Sequence, residues 1–135
     1  MIKMKLSDWD IFTNFIEENS AGALATIDGD KPQVRAVVFV ALDEKNIIYT
    51  TTVSDSQKVN QIKKNPNISF FIWKEHTFFR GGGKAEIINS LDLKQKILDK
   101  NPHWKKHYPL GSKDPKYCLI RINISNLQKH IPEEI

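Results

Sequence analysis

Six strand-like segments joined by short connections constrain this chain more than any other feature. They cover residues 23–27, 33–42, 47–52, 67–73, about 77–88 and 117–124, with a turn at Asp28-Gly29-Asp30 and another around Lys74-Glu75-His76. Each parallel strand pair needs a crossover of about a dozen residues, and these connections leave too little chain for several. The pattern therefore predicts antiparallel order, the first three strands as a meander, and a small, mainly β barrel with peripheral helices. In the first helix, capped by Ser7 or Asp8, Trp9, Phe12, Phe15 and Ile16 recur at helical spacing and Gly22 follows its end. It is expected to lie across the barrel. A second helix, 56–64, is closed by Pro66, and a third runs from Ser90 or Asp92 to about Lys100, before Pro102.

The length of 135 residues predicts one domain spanning 1–135, large enough for a true core. With 40% apolar and 27% charged residues, the chain reads as globular rather than disordered. No apolar run approaches the ~20 residues of a membrane span, and MIKMKLSDWD has no signal-peptide core. A cytoplasmic protein without a membrane partner is expected. Cys118 is the only cysteine; in YCLIRI it reads as a small buried apolar side chain. The net charge of +4 comes from lysines scattered over 56–64, 94–106 and 113–129. That distribution suits solvated helix faces and predicts no nucleic-acid partner. In SFFIW and TFF, adjacent aromatics fall on both faces of their strands. One face serves the core; the other predicts a self-complementary homodimer contact, unless a helix of the same chain covers it.

The chemistry concentrates between Arg35 and Pro66. Thr50, Thr51 and Thr52 bring hydroxyls to a strand end, and Ser54, Asp55 or Ser56 can cap a helix whose free N–H groups favour an anion. Lys58 adds a charge one turn inside, and Arg35 a planar fork from the preceding strand. Together they predict a socket for a phosphorylated ligand. Competing sites are weaker. His103 and His107 have an i, i+4 spacing but no third ligand, so surface histidines and no metal are expected. Gly81-Gly82-Gly83 lacks the lysine and following helix of a phosphate loop and predicts a bulge or a close backbone approach. No serine or cysteine triad stands out.

The ordered run GALATIDGDKPQVRAVVFV, IIYTTT, SQKVNQIKKNP, ISFFIW and GKAEII resembles the flavin-binding split barrels related to pyridoxamine 5′-phosphate oxidase, including small general-stress and flavin-reductase-like members. The resemblance covers roughly residues 8–125. It implies a six-stranded antiparallel split β-barrel homodimer with flavin mononucleotide (FMN) at the subunit interface. By that resemblance, Arg35 matches the arginine that contacts the phosphate or ribityl region. Ala36, Val37 and Val38 match the backbone edge beside the isoalloxazine. Tyr49, Thr50 and Thr51 match the segment near the ribityl chain and phosphate. Ser56, Gln57 and Lys58 match a Ser-Arg-Lys helix start in which Gln57 replaces a frequent arginine. Trp73 would line the flavin from the partner subunit, with an ordinary core role as its alternative.

The resemblance supports flavin binding better than vitamin B6 oxidation. This chain ends LQKHIPEEI where such oxidases resemble one another in a Trp- and Arg-containing substrate segment, and Phe78 stands where they often carry a flavin-contacting glutamine. The expected function is a small FMN-dependent oxidoreductase exchanging electrons with a small-molecule donor and acceptor, not a true pyridoxamine-phosphate oxidase. The alternatives are a deazaflavin-dependent or nitro-reducing relative, and a flavin- or haem-binding protein without turnover.

Overall fold

Alternation at period two writes the strands, and its phase decides what they bury. In β5 (Asn67–Lys74), Ile68, Phe70 and Ile72 are buried, while Ser69, Phe71 and Trp73 face the other way. The protein is represented by a computed structural model that describes residues 8–132 and the backbone of residues 2–3. The elements follow as β1 (Ile2–Lys3), α1 (Trp9–Glu18), β2 (Ala21–Asp28), β3 (Lys31–Val38), β4 (Ile47–Val53), α2 (Gln57–Lys64), β5, β6 (Thr77–Ile88), α3 (Leu91–Lys100) and β7 (Tyr117–His130). Six long strands and the two-residue β1 form one antiparallel, curled sheet in the order β1-β7-β6-β5-β2-β3, with β4 also paired to β7. The fold is the expected one, mainly β with three peripheral α-helices.

Two expected details are corrected. β4 is not the third strand of a meander: it pairs with β7 along its whole length and meets the β3 side at a single bridge, Val40 to Tyr49. The four polar residues Asp43 to Asn46, the last of them left-handed (φ 62°), turn the chain away from β3 before β4 begins. The last strand also runs well past residue 124, because Leu127 is buried opposite Gly81 and keeps the alternation through a polar stretch. The helix α1 does lie across the barrel, with the Phe12 ring 5.3 Å from Phe79 and 6.2 Å from Phe70. Its expected cap differs. Asp8 makes no side-chain cap bond and accepts from Lys129 Nζ at 3.3 Å, while Ser7 lies outside the described residues. Ser90 caps α3, its Oγ accepting from Leu93 N at 3.2 Å.

The core falls into two clusters on opposite faces of β4 and β7. Ile48, Ile120 and Ile122 join Phe12, Leu24, Phe39, Phe70 and Phe79 inside the barrel. Tyr49, Tyr117 and Leu119 join Ile97, Leu98, Trp104 and Tyr108 beneath α3 and the 3₁₀ turn that follows it. Cys118 is buried, as expected. The triple glycine is a bulge: the β6–β7 register shifts between Gly82 and Gly83, and a Cβ on Gly83 would overlap the Asn123 carbonyl. Because that carbonyl belongs to backbone held by β4 and β6, Gly83→Ala should destabilise the protein by about 1–3 kcal/mol. The exposed neighbour substitution Lys84→Ala should stay within about 0.5 kcal/mol. Urea unfolding of both variants checks the contrast.

Candidate functional site

Beyond the Val40–Tyr49 bridge, β3 and β4 part, and the barrel has a mouth. One strand brings Arg35 to it and the other brings Thr50 and Thr52, which share the inward face with Ile48. The helix α2 closes the mouth from above, burying Val59, Gln61 and Ile62 and packing on β2 and β6. Lys58 Nζ donates to Thr52 Oγ1 (2.5 Å), and Thr52 Oγ1 in turn donates to Ser56 Oγ (3.2 Å). Ser56 occupies the cap position of α2 without capping it. The N–H groups of Gln57 and Lys58, in the first turn, thus have no helical acceptor, whereas that of Val59 reaches Ser56 O at 3.2 Å.

Arg35 lies on the same inward face, opposite Leu24. Its Nη1 donates to Thr26 Oγ1 (2.7 Å) and to Leu24 O (3.2 Å), and its Nη2 donates to Gln61 Oε1 (3.0 Å). These bonds engage the end of the guanidinium and leave the Nε/Nη2 side edge without a protein acceptor among the described residues. That edge is the one a phosphate or carboxylate accepts from in bidentate fashion. The two cations feel each other. Burial first, and then the Arg35 charge, hold the Lys58 ammonium below its ordinary value, and burial also lowers Arg35. Neither is paired with a carboxylate in any described ion pair. Two partly desolvated cations over an uncapped helix start make a donor set for an oxyanion with more than one charge.

The other expected residues divide between the two faces. Thr50 is spent on structure, its Oγ1 donating to Val38 O at 2.7 Å. Thr51 alternates to the opposite face of β4, the side of Tyr49 and the second core, so the three threonines cannot all serve one ligand. Tyr49 is fully buried in the second core with its hydroxyl donating to Glu44 Oε1 (2.8 Å). Burial and then Glu44 push it up to about 12, and its side chain does not reach the mouth. Gln57 lines a cleft of about 430 Å³ between the β2–β3 turn and α2, together with Asn60, Gln61 and Lys64. In β3, Ala36 is exposed, Val37 buried and Val38 half-buried, and beyond its pairing with β2 the strand presents an open outer edge among the described residues. His103 and His107 lie on the exposed 3₁₀ turn, edge-on to Trp104 and Tyr108. Thr26 and Gln61 were not singled out from sequence; the only signal was the i, i+3 spacing that sets Gln61 on the Lys58 face of α2.

The outer face of the sheet carries a second feature. Trp73, Phe71, Phe78 and His130 form a ladder of rings with successive centroids 5.2, 5.2 and 5.0 Å apart, and Trp73 is 51% exposed. Beside it, Ala23, Ala25, Ser69, Val34 and Arg80 line a trough of about 430 Å³. Trp73 and His130 are exposed and Phe71 and Phe78 half-buried, so the ladder is open to solvent.

The fold is that of a split barrel, and comparison with known proteins agrees. The model of the pyridoxamine 5′-phosphate oxidase family matches residues 10–131, and the chain belongs to that family, which commonly binds flavin. General stress protein 26 of Bacillus subtilis (strain 168) is 28% identical over 133 residues, covering 94% of this chain and 86% of that protein. The crystal structure of general stress protein 26 from Bacillus anthracis superposes with a TM-score of 0.78 at 28% identity, over 92% of this chain and 94% of that one. A general stress protein 26-related structure from Clostridium acetobutylicum shares the fold, with a TM-score of 0.77 at 17% identity over 94% and 90% of the two chains. Among the described residues, no helix is long and apolar enough to cross a membrane.

A flavin phosphate fits the donor set, which offers cations, free N–H groups and an open guanidinium edge and no competing carboxylate. Two partly buried cations without a carboxylate cost the fold stability. Because Lys58 binds its proton less tightly when folded, the unfolded chain holds more protons between the lowered folded value and about 10.5. Stability should therefore rise with pH across that window. Lys58→Met, which keeps the apolar stem and removes the charge, should unfold at a higher urea concentration than wild type at pH 7. It should also lose the part of the rise below about pH 10.5 that belongs to Lys58.

Proposed function

We propose that the protein is a cytoplasmic FMN-dependent oxidoreductase in which a homodimer holds the flavin. The carrying observation is the pair of partly buried cations, Lys58 and Arg35, which have no carboxylate partner among the described residues, beside the uncapped start of α2. Lys58, the side edge of Arg35 and the N–H groups of Gln57 and Lys58 would hold the phosphate, with Ser56 within reach. The open β3 edge at Ala36, Val37 and Val38 suits the polar rim of the ring, since an unpaired strand edge presents both donors and acceptors. Bound FMN supplies the electron or hydride transfer between a small-molecule donor and acceptor; the chain supplies binding, orientation and charge. The aromatic ladder and its trough favour a second copy as the cover of the outer face, which would bring Trp73 of one protomer toward the flavin of the other. A bare aromatic face of this kind is unusual for a monomer. The family assignment supports the same reading.

Calorimetric titration with FMN and riboflavin tests the phosphate site. FMN should bind about one to two orders of magnitude more tightly, the worth of a charge-assisted contact of ~1.5–3 kcal/mol. Lys58→Ala should erase most of that difference while leaving riboflavin affinity in place. Equal affinities in the wild type would remove the phosphate role. Light scattering at low micromolar concentration should give twice the chain mass, and Trp73→Lys should shift it toward the monomer.

A further inference from the structure

Arg35 does not reach the mouth as a free side chain; two buried neutral residues hold it. Thr26, 1% exposed, and Gln61, 8% exposed, close a three-membered hydrogen-bond cycle with it. Arg35 Nη1 donates to Thr26 Oγ1 (2.7 Å), Thr26 Oγ1 donates to Gln61 Oε1 (2.6 Å), and Gln61 Oε1 also accepts from Arg35 Nη2 (3.0 Å). The directions are forced. A hydroxyl has one proton, and by giving it to Gln61 the Thr26 oxygen can only accept from Arg35. Both partners are neutral, so they orient the guanidinium without cancelling its charge, and they occupy its end while leaving the Nε/Nη2 edge open. A carboxylate in either position would have taken that edge's electrostatic role.

We infer that Thr26 and Gln61 are positioning residues which aim the open edge of Arg35 at the phosphate monoester of the ligand. The inference rests on the phosphate-site reading above. It links three elements, since Thr26 stands on β2, Arg35 on β3 and Gln61 on α2, three residues beyond Lys58. The geometry of the mouth is thereby tied to the docking of the helix that brings Lys58.

The test is a mutant cycle on the full-length protein, read as the ratio of FMN to riboflavin affinity, which a general folding defect does not move. Thr26→Val keeps the shape and removes the hydroxyl; it should lower the ratio about tenfold, the scale of one misaligned charge-assisted contact. Thr26→Ser restores the hydroxyl and should keep the ratio within about twofold of wild type. In an Arg35→Ala background, Thr26→Val should change the ratio no further, because its effect passes through Arg35. An unchanged ratio in Thr26→Val, or an equal loss with and without Arg35, overturns the positioning role while leaving the phosphate site standing. A wild-type ratio in Arg35→Ala removes Arg35 from the phosphate site, and the inference with it. Should Thr26→Val yield no folded protein, the same cycle with Gln61→Leu decides on the same outcomes.

Discussion

The single bridge between Val40 and Tyr49 is the constraint on which the rest depends. Both of its hydrogen bonds are short, 2.8 Å from Val40 N and 2.7 Å from Tyr49 N. Beyond it β3 and β4 go to different partners, β2 and β7. Closed at that bridge and open past it, the sheet becomes a split barrel rather than a cylinder. The split leaves an open strand edge, a mouth lined by polar residues, and a place for a short helix to dock. It also divides the core, because β4 and β7 must bury both faces, one into the barrel and one under α3. This is why Thr50, Thr51 and Thr52, adjacent in sequence, do three different things.

The mouth is a place where local stability has been set aside. Two cations share a partly buried space without a carboxylate, a helix start goes uncapped, and the nearest hydroxyls point at the lysine rather than at the backbone N–H groups. A structural site of the same size would place an acid between Lys58 and Arg35 and lose its affinity for anions. A multiply charged anion bound there would relieve the repulsion between the fixed charges and so link ligand binding to stability through the same two groups. The neutral cycle of Thr26 and Gln61 belongs to this arrangement, because it orders a guanidinium without neutralising it.

The outer face follows a different logic. Phe71, Trp73 and Phe78 pack on one another in a row across β5 and β6, with His130 extending the row onto β7. The small residues Ala23, Ala25 and Ser69 keep the neighbouring surface low, so the ladder stands beside a trough. A ridge and a groove on one surface are the elements of a self-complementary contact.

Much of the architecture was legible in the chain because it is written in short-range chemistry. Period-two alternation marked five of the six long strands to within a few residues, Pro66 and Ser90 marked helix ends, and the triple glycine marked a bulge, since each signal depends on neighbours a few positions away. The cationic pair was also legible by residue type, Arg35 on a strand and Lys58 at a helix start. Three things were decided only by the tertiary structure. The partner of β4 was one, because a strand's hydrogen bonds carry no address and the meander and the split barrel share the same local pattern. The extension of β7 was another, since only the burial of Leu127 against Gly81 shows that polar residues there continue a strand. The third was the division of labour at the mouth: which threonine faces in, that Tyr49 is buried away from it, and that Thr26 and Gln61 hold Arg35. Those roles depend on the face each side chain takes once strands distant in sequence have paired, and that choice is made by packing, not by any one segment.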